Sequence, residues 1–97
     1  MGTIAPSGTS STTTPPTISI NGNNPAIIHI GDVYADLGAV ITAPDTDKNL
    51  GIITYLNGTK VDAIQLDTST TSTSTIEYVV TDPFGQAATA TRMVIVE

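Results

Sequence analysis

Four of the seven aspartates in this 97-residue sequence are the side chains best placed to bind a metal ion: Asp32, Asp36, Asp45 and Asp47. Calcium requires six to eight oxygen ligands that converge on one point. The sequence contains no D-x-D-x-D-G run that would supply them from one loop. Asp32 and Asp36 also have a simpler interpretation as turn residues that accept hydrogen bonds from nearby backbone N–H groups. We therefore expect no bound metal and no other cofactor.

The sequence contains few residues that could support nucleophilic catalysis. His29 is the only histidine and there is no cysteine, so neither a catalytic triad, a paired-histidine metal site nor a thiolate nucleophile can be assembled. His29 lies in an alternating segment and is interpreted as a structural residue of a strand. We predict that the chain is not an enzyme.

Lys48 and Lys60 are the only possible donors for a lysine–asparagine isopeptide cross-link, which needs a buried lysine on a strand beside a carboxylate. Both lysines fall in predicted loop or turn positions. Asp82 begins the run Asp82-Pro83-Phe84-Gly85, where a carboxylate ordinarily accepts backbone hydrogen bonds. We therefore predict a structural role for Asp82 and no cross-link.

The aromatic residues could instead bind a sugar by stacking. The chain has only Tyr34, Tyr55, Tyr78 and Phe84, and a stacking platform needs several rings on one exposed face. Tyr78 is expected in the core, and Tyr55 and Phe84 are the candidate ligand-binding residues. Carbohydrate binding is therefore kept as the alternative function.

Charge and composition exclude other classes of partner. Nine acidic residues against three lysines and arginines give a net charge of −6. So few cations cannot neutralise a nucleic-acid backbone or hold the chain on an anionic lipid surface. No apolar run approaches the ~18 residues that a membrane-spanning helix needs. We expect neither nucleic acid nor membrane as a partner.

Two runs of alternating residues, 75–81 and 87–96, flank Asp82–Gln86 and predict two antiparallel strands joined by a tight connection. Asn57-Gly58 predicts a type I′ turn, because both residues tolerate a positive φ. Similar short segments recur along the chain with no helical periodicity. The pattern predicts an all-β Greek-key sandwich of seven to eight strands, all antiparallel by the length of their connections.

The predicted domain spans residues 16–97, preceded by a disordered Ser/Thr/Pro-rich linker at 1–15. The segment 37–43 is expected to be the most buried strand, and 68–74 is expected to be a surface loop. The core is expected to consist mainly of aliphatic residues at inward positions: Ile20, Ile28, Ile30, Leu37, Val40 or Ile41, Ile53 or Tyr55, Val61, Leu66, Ile76, Tyr78, Val80, Val94 and Val96.

Four segments together resemble a known family. They are Pro16–Gly22, Gly31-Asp32-Val33-Tyr34-Ala35-Asp36-Leu37-Gly38-Ala39, and Tyr78–Ala88 followed by Arg92–Val96. In this order they resemble the bacterial immunoglobulin-like surface modules, whose pattern runs P-T-I, G-D-x-Y-x-D-x-G-A, Y-x-A-x-D-x-x-G-N-x-A and R-x-V-x-V.

The resemblance implies an immunoglobulin-like fold and a non-catalytic spacer or adhesive module, repeated in tandem, within a larger exported bacterial surface protein. The alternative it implies is a carbohydrate-binding accessory domain of a secreted glycan-active enzyme. The expected partners are neighbouring domains of the same polypeptide, with a cell-wall or host glycan or protein as a further candidate. We expect the isolated domain to be a monomer and its location to be extracellular or at the cell surface.

Overall fold

The computed structural model describes residues 14–97, and the linker predicted at 1–15 therefore lies almost entirely outside the described residues. Within this range the chain forms one 3-10 turn at Asp45–Asp47 and seven strands: β1 Thr17–Ile20, β2 Ala26–Ile28, β3 Ala39–Ala43, β4 Ile53–Leu56, β5 Thr59–Val61, β6 Ser72–Thr81 and β7 Ala87–Val96. No helix in the described part of the chain is long and apolar enough to cross a membrane.

The strands form two sheets. β1 pairs with β3, and the other five strands are ordered β2-β7-β6-β4-β5. The ten-residue strands β6 and β7 pair along their whole length, from Ser72 opposite Val96 to Thr81 opposite Ala87. The predicted all-β sandwich is confirmed, and the β6–β7 hairpin is its largest element.

The Asn57-Gly58 turn is confirmed as the connection between β4 and β5. Both residues have positive φ, 49° at Asn57 and 86° at Gly58, as a type I′ turn requires. The Asn57 backbone N–H donates to the carbonyl of Thr75 at 2.8 Å, and its side-chain oxygen accepts from the Thr75 N–H at 2.9 Å. The turn is therefore tied to β6 as well as closing its own hairpin.

The core lies between the two sheets, where inward positions alternate along the long strands. Ile76 and Tyr78 of β6, Val94 of β7 and Ala26 of β2 form its buried centre. Partly buried side chains pack around this centre from the two-stranded sheet and from the loops: Ile18, Ile20, Ala39, Ile64 and Leu66. Each fully buried aliphatic side chain contributes about 1.5–3 kcal/mol relative to exposure.

The prediction that all strands are antiparallel is wrong at one pairing. β2 runs parallel to β7, with Ala26 opposite Val94 and Ile28 opposite Val96. Short connections force antiparallel pairing only between strands that follow each other in sequence. β2 and β7 are joined by most of the domain, so connection length did not constrain their direction.

Part of the predicted core is also wrong. Leu37 and Ile30 are 65% and 51% exposed. Where two residues were predicted as alternatives, Ile41 and not Val40 is buried in β3, and Tyr55 is half-buried in β4 whereas Ile53 is 42% exposed. β3 belongs to a sheet of two strands, which covers only part of the larger sheet and leaves its own outer face in water. β3 is therefore not the most buried strand, and β6 also starts earlier than expected, at Ser72.

Candidate functional site

Arg92 is an arginine at a core position. It lies on β7 in alternation with the buried residues Val94 and Val96, and it is only 2% exposed. Its guanidinium is satisfied by backbone carbonyls: Nη1 donates to Asn23 at 2.5 Å, and Nη2 donates to Asn21 at 2.6 Å and to Gly38 at 3.1 Å.

Asp36 supplies the opposite charge. Its Oδ1 lies 3.2 Å from Arg92 Nε, which also donates to the Tyr78 hydroxyl at 3.1 Å. Tyr34 and Tyr78 each donate their hydroxyl to the Asp36 carboxylate at 2.6 Å, and the Gly38 N–H donates to it at 3.1 Å. We call Tyr34, Asp36, Tyr78 and Arg92 the polar cluster.

The environment holds Tyr34, Tyr78 and Arg92 in their protonated forms at neutral pH. Burial, followed by the hydrogen bond to Asp36, raises the pKa of Tyr78 to about 12, and the same causes raise the pKa of Tyr34 further. Burial alone would lower the pKa of Arg92, but the hydrogen bond to Tyr78 and the nearby Tyr34 and Asp36 raise it overall. These three groups therefore do not titrate near neutral pH, where a general acid or base would have to.

The polar cluster joins four separate parts of the chain. Arg92 belongs to β7 and Tyr78 to β6, Tyr34 and Asp36 lie in the segment before β3, and the carbonyls that bind Arg92 come mainly from the turn after β1. A buried ion pair whose remaining hydrogen bonds are satisfied specifies one arrangement of these segments. Displacing any one segment would leave a buried charge without its partner and without water.

The motif G-D-x-Y-x-D-x-G-A now has a residue-by-residue explanation. Gly31 and Gly38 have φ of 90° and 74°, values that favour glycine. Asp32 accepts a hydrogen bond from the His29 N–H at 2.9 Å, as the turn interpretation expected. Tyr34 and Asp36 belong to the polar cluster, so the motif encodes a shaped loop and one half of a buried ion pair.

Residues 18–96 match the family described as bacterial surface protein, Ig-like domain. The chain belongs to this family. The match covers all seven strands apart from the first residue of β1, and this extent agrees with the Ig-like sandwich. No curated protein and no solved structure gives a significant match.

In this Ig-like domain, sequence reasoning missed the central residue of the polar cluster. Arg92 was absent from the predicted core because arginine is rarely buried without a partner. The signal that could have found it is positional: Arg92 precedes Val94 and Val96 at inward spacing on a strand predicted to be half-buried. A charged residue at an inward position indicates that an opposite charge reaches it from elsewhere.

The four aspartates considered as candidate calcium ligands lie in different environments. Asp32 and Asp36 are engaged as described above, and Asp45 pairs with Lys48 at 3.0 Å. Asp47 is buried in the 3-10 turn. Among residues 14–97 the structure brings no three histidine or carboxylate side chains to a common point.

The two candidate sugar-binding aromatics do not form a platform. Tyr55 is half-buried on β4, opposite Glu77 and Lys60 on the neighbouring strands. Phe84 is 65% exposed in the β6–β7 turn. Five residue steps lead from Glu77 along β6 to Asp82, where this turn starts, a path of roughly 16 Å. The other two aromatic residues, Tyr34 and Tyr78, belong to the polar cluster.

Asp82 has the structural role that its position predicted. It is 5% exposed, and its Oδ1 accepts hydrogen bonds from the N–H groups of Phe84 at 2.9 Å and Gln86 at 2.8 Å. Its own N–H donates to the Gln86 carbonyl at 2.8 Å. These bonds make the β6–β7 turn a closed and well-defined loop.

A cavity of about 440 Å³ opens between the start of β3, β4 and residues 62–64. Asp36 and Tyr78 reach its wall, together with the apolar side chains of Ile52 and Ile64. The polar atoms of Asp36 and Tyr78 already bind each other, and Tyr78 also accepts from Arg92. The wall therefore presents mainly apolar side chains, with Thr54 and Asp62 at its polar side.

Proposed function

We propose that this Ig-like domain is a non-catalytic spacer or interaction module of a larger exported bacterial surface protein, located outside the cell. The observation that carries the proposal is the polar cluster. Tyr78 and Arg92 are the most deeply buried ionisable residues that the structure describes, and together with Tyr34 and Asp36 they are bonded to one another and to the backbone. Their arrangement serves to hold the sandwich together.

The strand directions support a module in which the polypeptide chain enters at one end of the sandwich and leaves at the opposite end. Ile28 and Val96 lie side by side at the ends of the parallel strands β2 and β7, and the Glu97 N–H donates to the Ile28 carbonyl at 2.9 Å. The β6–β7 turn lies at the far end of β7. We propose that β1 begins towards that far end, so that tandem modules extend along a line.

A distance measurement tests this geometry. The chain has no cysteine, so paired substitutions carry spin labels without background. We expect the distance between labels at Thr17→Cys and Glu97→Cys to approach that of a reference pair at Phe84→Cys and Glu97→Cys. The reference pair spans ten-residue β7, about 33 Å, and double electron–electron resonance resolves such distances.

The reference pair makes the result decisive. A Thr17–Glu97 distance below about half of the reference, roughly 16 Å, would place both ends at one pole and refute the spacer geometry. The reference distance itself verifies that the β6–β7 hairpin is intact in the labelled protein.

A further inference from the structure

An apolar groove runs along the free edge of β2. Ile27, Val33 and Leu37, which line it, are 54%, 94% and 65% exposed. The groove has a volume of about 340 Å³; Ile28 and Ala35 add to its apolar wall, and Asn23, Tyr34 and Arg92 form its polar part. β2 pairs only with β7, so its other edge faces this groove. Three large aliphatic side chains around one concave surface are typical of a binding surface.

A complementary convex feature lies at the other end of the domain. Phe84 is 65% exposed in the β6–β7 turn, where its backbone N–H is held by Asp82. Gly85, with φ of 85°, also donates its N–H to the Asp82 carbonyl at 3.1 Å. The ring is thus presented from a fixed backbone, which lowers the entropy lost when it binds.

Phe84 cannot reach the groove of its own domain. Ile27 pairs with Ile95 near the end of β7, whereas Phe84 precedes Ala87, the first residue of that strand. The eight residue steps from Ala87 to Ile95 span about 26 Å. A groove and a matching side chain on distant parts of one molecule form a head-to-tail contact between copies, and such a contact can repeat along a line.

We propose that Phe84 of one copy of this domain inserts into the β2 groove of a second copy. The inference rests on the proposed function, because it takes the second copy to be a tandem neighbour in the same polypeptide. Glu97 supports this choice of partner: its carbonyl accepts from the Ile30 N–H at 3.2 Å, so a chain that continues from Glu97 starts beside the groove.

The expected strength of the contact agrees with a monomeric isolated domain. One aromatic side chain and its surroundings bury less than the ~1,200 Å² of a stable interface. Free copies at micromolar concentration therefore remain separate. A linker raises the effective concentration to the millimolar range, where a weak contact is populated. Because each copy carries a charge of −6, added salt should strengthen the contact by screening repulsion.

The test is a fusion of two complete copies of the 97-residue chain, studied by ¹⁵N relaxation. With docking, the two copies tumble as one body of twice the mass, and more so in 0.5 M than in 0.05 M NaCl. Phe84→Ala in the second copy should release the copies. The matched control is Phe84→Ala in the first copy, whose ring has no groove to enter and whose effect on folding is the same.

Val33→Asp provides the reciprocal pair of variants. It should release the copies when placed in the first copy and leave them docked when placed in the second. Independent tumbling of the wild-type fusion, or equal effects of Phe84→Ala in either copy, would overturn the docking proposal. Neither result would alter the Thr17–Glu97 distance, which tests the spacer proposal separately.

Discussion

Arg92 shows how one buried residue can organise several segments of a small domain. Water is replaced around its guanidinium by three backbone carbonyls, one hydroxyl and one carboxylate. The arginine also lies over the Tyr78 ring, with 5.9 Å from its central carbon to the ring centre. Replacing such a pair by apolar residues can be neutral, but removing only one partner leaves a buried charge without compensation.

Asp36→Asn tests this consequence. The substitution keeps the size of the side chain but leaves the Arg92 cation buried without a counter-charge. We expect the free energy of unfolding to fall by about 3–5 kcal/mol, a large part of the ~5–15 kcal/mol typical of a domain. Urea unfolding at pH 7 measures the change. Asp32→Asn is the control, because it alters an exposed aspartate of the same loop and should cost far less.

Alkaline pH should destabilise the domain through the buried tyrosines. The folded state raises the pKa of Tyr78 from 10.0 to about 12, so the unfolded chain loses this proton first. The contribution of the protonated Tyr78 hydroxyl to the free energy of unfolding is complete below pH 10 and is lost as the pH rises from 10 towards 12. Urea midpoints between pH 8 and 12 should show this fall, with a smaller fall in Tyr78→Phe. A flat profile would contradict the raised pKa.

At the scale of elements, the β6–β7 hairpin carries the fold and the shorter strands complete it. β6 and β7 contribute most of the buried core residues together with Arg92. The strands at the edges of the larger sheet, β2 and β5, are three residues long. Short edge strands, together with Lys60 on β5, limit edge-to-edge aggregation. The turn residues Asn57 and Gly58 connect β5 to β4.

Gly58→Ala should weaken the β4–β5 hairpin. At φ of 86° an added Cβ strains the backbone even though nothing lies within 4 Å of it. We expect a loss of about 1–2 kcal/mol. Gly51→Ala is the matched control, since Gly51 also has open space and lacks a positive φ. Thermal unfolding of both variants measures the difference, and equal melting temperatures would show that the turn conformation is not strained by Ala.

At the scale of the whole molecule, we expect the domain to be stable without ions, because its carboxylates already have protein partners. Asp36 is neutralised by Arg92, Asp45 pairs with Lys48, and Asp82 closes a turn. Their oxygens are held at separate places by protein donors. Calcium could bind these carboxylates only if their present ion pairs and hydrogen bonds were broken.

The melting temperature should therefore be the same in millimolar calcium chloride and in EDTA at equal ionic strength. A ligand that binds only the folded state raises its stability with concentration. A calcium-dependent rise, absent with magnesium, would show that some of the aspartates do form a site. Asp45→Asn and Asp47→Asn would then identify whether the 3-10 turn supplies it.

The sequence by itself determined the elements whose causes are local. Alternation at 75–81 and 87–96 predicted β6 and β7, and Asn57-Gly58 predicted the β4–β5 turn. The Asp82 turn could also be predicted from the sequence, because its hydrogen bonds span only a few residues. The resemblance added the family and the immunoglobulin-like fold. Side-chain alternation and turn chemistry depend on neighbours in sequence, so a single sequence carries them.

Only the tertiary structure decided which distant residues meet. The pairing of Asp36 with Arg92, the parallel direction of β2 beside β7, and the exposure of Val33 and Leu37 depend on where the two sheets overlap. A strand's alternation says which side chains share a face, but not what covers that face. Coverage comes from packing between segments far apart in the chain, and no local pattern encodes it.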